Sequence, residues 1–225
     1  MFEDIKRDIE ANIRGIRLWT ENIYKGQEED SRGPDLFGFR ETSAGLFFVY
    51  IYGVYEEIVR RIITDTIRAL NSSGIHIEQC SYGLYPLAFS AEFDSLCGAG
   101  SQTKWQNRWK ISQKIQDNPE INIPLELFPT DGKNLKHRQL SSLFCSFGLE
   151  CDPLPRAEIG GYITEIVNNR NYIAHGDDLP KNIGRRYTKE DLLKRCDIVS
   201  EVCNYIAESF EKYIQENKFT KTPST

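Results

Sequence analysis

Two residues five positions apart, Arg170 and His175, carry side chains suited to chemistry on a phosphate. A guanidinium offers a planar fork of N–H donors that matches phosphate oxygens, and it stays charged at any working pH. An imidazole exchanges protons near neutrality and so serves as a general acid or base. The segment around them, EIGGYITEIVNNRNYIAHG over 158–176, has helical period. At about 100° per residue, Ile159, Tyr162, Ile163, Ile166, Val167 and Ile173 share an arc of about 140°, with Arg170 near its middle. An unpaired guanidinium is expensive to bury. Such a stripe therefore either gives Arg170 a carboxylate or a subunit face to snorkel toward, or abuts a partner surface or cleft where it meets an anion. His175 lies about 500° further on, hence about 140° away around a straight helix. Convergence requires loosening of the helix after Ala174, which Gly176 favours, or two copies meeting across a two-fold axis. Taken alone, a His just before a Gly is ordinarily a helix C-terminal residue favoured by the dipole.

The string Arg170-Asn171-Tyr172-Ile173-Ala174-His175-Gly176 resembles the R-x4-H motif of the HEPN superfamily (higher eukaryotes and prokaryotes nucleotide-binding). The aromatic-rich helix upstream, the Pro-containing residues before the motif and the long amphipathic helix after it resemble the MAE-type HEPN-like nucleases. The resemblance is loose over 40–215 and closer over 156–215. It implies an all-α HEPN-like bundle of long antiparallel helices, with the motif at the end of the penultimate helix. It also implies a metal-independent endoribonuclease without a cofactor, acting as a toxin or antiviral defence effector. Such proteins work as homodimers whose two motifs share one cleft, and they pair with an antitoxin or a defence-system partner. Under this resemblance the 2′-OH of RNA is the nucleophile, His175 transfers protons, Arg170 stabilises the phosphorane, and Asn171 orients the phosphate or the His. Some HEPN toxins carry a Tyr two residues after the His, which a partner nucleotidyltransferase modifies. Asp177 stands there, a departure that speaks against that regulation. The alternative is a non-catalytic HEPN-like helical module whose motif surface binds RNA, a nucleotide or a protein partner. A third reading, a scaffold, leaves Arg170 as a structural ion-pair partner. Exposure of the motif at a cleft favours the enzyme; burial inside one core favours the scaffold.

Other residues bear on the same chemistry. Asp177 and Asp178 read as metal ligands beside His175, as ordinary loop acids, or as charges that favour a protonated His175. Lys181, Arg185 and Arg186 follow the motif and are expected to hold RNA backbone. Lys104, Trp105, Arg108, Trp109, Lys110 and Lys114 lie in a stretch, 101–114, without an acid. Its rings can stack bases while Lys104, Arg108 and Lys110 hold phosphates; the plainer reading is a solvated helix with both Trp packed inward. His76 and His137 have no partner pattern. Gly160 and Gly161 read as mid-helix residues that permit close packing. There is no P-loop, G-x-G-x-x-G, G-x-S-x-G or H-E-x-x-H.

The elements that must position these residues are helical. Ile5, Ile9, Ile13, Ile16, Trp19 and Ile23 mark a first helix ending near Gly26, followed by a polar loop over 27–35. The most apolar helix spans 42–70, with Phe47, Tyr50, Ile51, Val54, Ile58 and Ile62 pointing to burial on more than one side. Short or polar helices follow over 83–97 and 102–117, an irregular segment over 121–131, and helices over 134–147 and 156–175. Thr188 with Asp191 opens the last helix as a capping box, and Leu192, Cys196, Val199, Cys203, Ile206 and Phe210 continue its period. The chain reads as one helical domain over 1–217 with a flexible C-terminal tail over 218–225.

Composition sets the outer bounds. The chain has 225 residues, 28 Lys+Arg and 33 Asp+Glu. Residues 1–100 hold 10 basic and 16 acidic side chains, and the remainder 18 and 17, so no broad basic face of the kind that grips duplex DNA is expected. No run approaches the roughly 20 apolar residues of a membrane span, and the charged N-terminus lacks a signal peptide's apolar centre. Six Cys without C-x-x-C spacing read as reduced core thiols of a cytoplasmic protein.

Overall fold

Isoleucine spacing builds the first helix. Ile5, Ile9, Ile13, Ile16 and Ile23 recur at steps of three, four and seven, and all are buried. Each contributes roughly 1.5–3 kcal/mol by leaving water. Thr20 lies in the same stripe and is satisfied by donating its hydroxyl to the Ile16 carbonyl at 2.9 Å. Glu3 and Asp4 in the first turn and Lys25 in the last complement the helix dipole.

The computed structural model describes residues 2–25, 38–97, 100–128 and 134–221. The loop expected at 27–35 and the tail beyond Lys221 lie outside the described residues. Among them run nine α-helices: α1 (Glu3–Lys25), α2 (Phe39–Asn71), α3 (Tyr85–Ala88), α4 (Ser90–Cys97), α5 (Ser101–Gln116), α6 (His137–Phe147), α7 (Ile159–His175), α8 (Pro180–Gly184) and α9 (Lys189–Gln215). No strand occurs among the described residues beyond two isolated bridges. The fold of the described residues is all-α.

By compactness the chain divides in two. The first unit comprises Met1–Arg61, Asn134–Arg138 and Pro153–Glu208; the second comprises Ile62–Lys133, Gln139–Asp152 and Ser209–Thr225. In the first unit α2 is apolar on most sides, with Phe47, Phe48, Ile51, Tyr52 and Tyr55 all buried. Tyr50, placed by period among the buried set, is instead 44% exposed and meets Trp19 edge-on. The start of α2 is clasped by α8. A methyl at Gly184 would overlap the Glu41 carbonyl, and one at Gly45 would overlap that of Pro180. Close packing therefore resides at these two glycines. Gly160 and Gly161, expected to provide it, stand in the first turn of α7, and a methyl at Gly161 would meet nothing within 4 Å.

Helix α9 begins as its sequence predicts. Asp191 accepts the Thr188 N–H at 2.9 Å while Thr188 accepts the Asp191 N–H at 3.2 Å. The backbone bond from Thr188 holds the Asp191 carboxyl below its ordinary range, and hydrogen bonds from Arg156 do the same for Glu201. Both carboxylates are stabilised in the folded state, so their contribution is present above the unfolded values, about pH 4, and is lost as pH falls through the folded ones. The melting temperature should hold from pH 7 to 5 and fall steadily below about pH 4. An unchanged melting temperature down to pH 3 would contradict this.

In the second unit, Asn71 ends α2 and its side-chain amide pairs with both backbone groups of Ile123 at 2.8 Å. Phe144 and Phe147 of α6 pack edge-on against Phe210. The chain expected to fray from 218 is docked as far as Lys221: Phe219 is buried, Ser81 N–H donates to its carbonyl, and Lys221 N–H donates to that of Gln79. An aromatic side chain and two backbone bonds hold it there. Of the six thiols, Cys80, Cys196 and Cys203 are buried, whereas Cys97, Cys145 and Cys151 are exposed rather than in the core. Burial pushes the Cys80 thiol up to about 11 and Cys196 to about 12.

Candidate active site

Helix α7 packs the stripe that its period predicts. Ile159, Ile163, Ile166 and Val167 are buried, with Asn169 beside them. Because this face is already packed within the chain, it is not a free subunit face, one of the alternatives its sequence leaves open. A contact between copies through α7 has to use the opposite side, where Gly161 is exposed, or the C-terminal end, where Tyr172, Ala174 and His175 are exposed.

Burial of a guanidinium with a carboxylate partner does occur, but at Arg195. This side chain of α9 donates to both Glu165 oxygens, at 2.9 and 3.1 Å, and to the Asp191 carbonyl at 2.8 Å. The Tyr187 hydroxyl donates to Glu165 and accepts from Asn169, each at 2.7 Å. Burial, followed by the bond to Glu165, pushes the Tyr187 phenol up to about 12. This network ties α7 to the start of α9, and Arg170 forms no ion pair among the described residues.

Arg170 is half-buried and held on two sides. Its guanidinium lies over the Tyr52 ring at 5.0 Å, and Nη1 donates to the Asn171 side-chain oxygen at 3.1 Å. That oxygen also accepts from Asn134 at 3.0 Å; the Tyr52 hydroxyl donates to Asn134 at 3.2 Å and accepts the Leu135 N–H at 3.3 Å. Lys136 reaches Asn168 at 2.8 Å, one turn before Asn171. Desolvation raises the Tyr52 phenol to about 12, which keeps it a neutral donor. Asn171 thus orients Arg170 rather than His175. No short motif marks Tyr52 and Asn134: they lie 118 and 36 residues before Arg170, and only folding brings them to it.

His175 is exposed in the last turn of α7, and its ring makes no hydrogen bond among the described residues. The helix does not loosen after Ala174. It runs through His175 and closes in a Schellman motif: Gly176, at φ +76°, donates to the Ile173 carbonyl, and Asp177 N–H donates to that of Tyr172 at 2.8 Å. His175 therefore stays on a different azimuth from Arg170, and the two do not converge on one side of a single helix.

The loop after the motif is organised by Asp178. Its carboxylate accepts from Leu179 N–H and Asn182 at 2.9 Å and from Arg186 at 2.7 Å, and the Asn182 bond leads the interactions that hold it below its usual range. Those bonds occupy Asp178 and leave Asp177 as the exposed acid next to His175. Among the described residues, no group of three or more His, Cys, Asp or Glu side chains is placed to hold a metal ion. Lys181 is extended along Gly38. Arg185 and Arg186 line a cleft of about 710 Å³ together with Tyr24, Lys25, Arg40 and Lys189. Sequence reading found the first two of these cations; the other three are scattered along the chain with no local signal. Lys104, Arg108 and Lys110 are exposed on α5, in the second unit. His76 Nδ1–H donates to the Asn118 carbonyl at 2.7 Å, and His137 is exposed at the start of α6. No helix among the described residues is long and apolar enough to cross a membrane.

No curated protein and no solved structure matches the chain. A family model does, over residues 2–219 and so across both compact units, and by that match the chain belongs to the HEPN_MAE_28990-like HEPN family.

Proposed function

We propose that the chain is an endoribonuclease of HEPN type that cuts RNA without a metal ion, with Arg170 and His175 as its reacting groups. The observation that supports this most is their placement. Both are accessible at one helix end, Arg170 is pre-oriented by Asn171 and Tyr52, and neither forms an ion pair among the described residues. With Nη1 on Asn171, the Nε–Nη2 edge of Arg170 has no hydrogen bond among the described residues; this is the edge that meets two phosphate oxygens at once. In the proposed reaction the 2′-OH loses its proton to a base, the O2′–P bond forms and the P–O5′ bond breaks. The departing O5′ takes a proton, leaving a 2′,3′-cyclic phosphate and a 5′-OH. His175 supplies the proton transfers, and Arg170 meets the charge that grows on the phosphoryl oxygens. Arg185 and Arg186, with Lys25, Arg40 and Lys189 around the cleft, hold the strand's phosphates, and Lys181 adds charge nearby.

The different azimuths of Arg170 and His175 on a straight α7 favour a composite site, Arg170 of one copy facing His175 of a second. The proposal is thus a homodimer through the exposed C-terminal end of α7, where both residues reach the surface, burying on the order of 1,000 Å² or more. It treats 1–217 as one domain and carries with it the cytoplasmic role of a toxin or antiviral effector restrained by an antitoxin or defence-system partner.

Mixing two inactive variants tests this. In a dimer of Arg170→Ala with His175→Ala chains, one of the two sites keeps both groups, so random exchange should restore about a quarter of the wild-type sites. The assay is cleavage of total cellular RNA in EDTA. No restoration between dimers shown by light scattering to have exchanged would refute the composite site; cleavage lost in EDTA and recovered with magnesium would refute the chemistry.

A further inference from the structure

Helix α5 turns both of its tryptophans to solvent. Trp105 is 72% exposed and Trp109 66%, against the expectation that they pack inward. The inward side is made by other residues: Ile111 is buried, Asn107 donates to the Ser95 carbonyl at 3.2 Å, and Lys114 pairs with Glu92. Four residues apart, the two rings share the outer face, separated by about 6 Å along the axis. Arg108 lays its guanidinium over Trp105 at 4.7 Å, Lys104 and Lys110 are exposed beside them, and 101–114 contains no acid.

We infer that this face is a platform for single-stranded RNA, distinct from the residues of α7. An indole face left to water gains most by taking a base onto it, and the arginine plane offers a second stacking surface. The spacing exceeds the ~3.4 Å between stacked bases of one duplex strand, so each ring suits a base drawn out of its helix, not a paired one. The three cations around the rings complement a phosphate backbone. A lipid surface is the poorer fit: the rest of the outer face, Gln106, Ser112 and Gln113, is polar and offers little area to insert. The choice of RNA as the polymer rests on the ribonuclease reading above; the stacking and charge geometry do not.

The test uses the full chain carrying His175→Ala, so that the probe is not consumed, and a fluorescein-labelled 12-nucleotide oligouridine followed by anisotropy. Binding should quench tryptophan emission, and blunt RNA duplex should be a poor competitor for it. Trp105→Ala with Trp109→Ala should weaken binding by about 10-fold or more, with helix content by circular dichroism unchanged because both rings are exposed. Lys104→Ala with Lys110→Ala should make the log–log salt dependence shallower by roughly 0.7 per cation. Equal affinity with and without the two rings would overturn the platform. So would binding to anionic phosphatidylglycerol vesicles that needs the rings while RNA affinity does not, which would reassign the face to a membrane. If the wild-type chain cuts no RNA yet the His175→Ala chain binds the strand through the two rings, the cleavage reading falls and the platform stands. Cleavage with ring-independent affinity gives the reverse.

Discussion

His175→Ala should fold normally and cut RNA between about 100- and 10,000-fold more slowly than the parent, since that is the range in which a positioned proton-transfer group contributes. The residue is exposed, so its truncation opens no cavity and removes no hydrogen bond among the described residues. Arg170→Ala should lose a comparable factor, roughly 3–4 kcal/mol of transition-state stabilisation. Two further substitutions separate positioning from chemistry. Asn171→Ala removes the acceptor that Nη1 of Arg170 uses, and Tyr52→Leu removes the ring beneath it. Both should lower activity less than Arg170→Ala and should add nothing when combined with it, because they act through the same guanidinium. His137→Ala should stay near wild type. The products should carry 2′,3′-cyclic phosphate or its opened form, and RNA with a 2′-deoxy scissile nucleotide should resist. A product with 3′-OH and 5′-phosphate, or a His175→Ala chain of full activity, would end this mechanism.

How much of this was readable from the chain follows from where each interaction sits. The stripe of α1 and the capping box of α9 depend on neighbours within a turn or two, and period and local hydrogen bonding reveal them directly. The motif helix was equally legible, and so were Arg170 and His175 as residue types. What they face was not. The buried ion pair anticipated for a guanidinium on the α7 stripe belongs to Arg195, whose partner Glu165 lies 30 residues away and shows no sequence signature. Tyr52 and Asn134 became visible only once folding laid three distant segments together. Helix α8, five residues long, is too short to show a period. The orientation of α5 misled for another reason: with a single buried Ile, its inward side carries almost no apolar signal, so the usual rule of rings inward had nothing to check it. The isoleucines of α7 allow a partner surface as one reading, although the same pattern serves an internal core equally well. Amphipathicity says that a face is covered, not by what.

The glycines offer the largest structural effect. Gly184→Ala places a methyl on the Glu41 carbonyl oxygen, with the Gly45 amide nitrogen only 2.7 Å away. Both obstacles are backbone, so no side-chain rotation relieves the overlap, and α8 has to leave the first turns of α2. Overpacking of a tight site costs about 1–3 kcal/mol and occasionally more; with backbone on both sides, the upper end is expected here. Gly45→Ala should behave alike, through the Pro180 carbonyl, and the double variant should lose less than the sum because one displacement relieves both. Two other glycines calibrate the result. At Gly176 a methyl meets nothing within 4 Å but φ is +76°, so alanine should cost only the left-handed strain, about 1–2 kcal/mol. At Gly53, exposed inside α2 with nothing within 4 Å, alanine should stabilise by about 0.5–1 kcal/mol. Urea unfolding of the four single variants reads this order directly. The displaced α8 should also cost activity, since Pro180–Gly184 lies between Asp178 and Arg186, whose ion pair shapes the loop beyond His175. A Gly184→Ala chain as stable as the Gly53→Ala chain would mean that α2 and α8 do not approach this closely, and the placement of Arg185 and Arg186 at the cleft would lose its support.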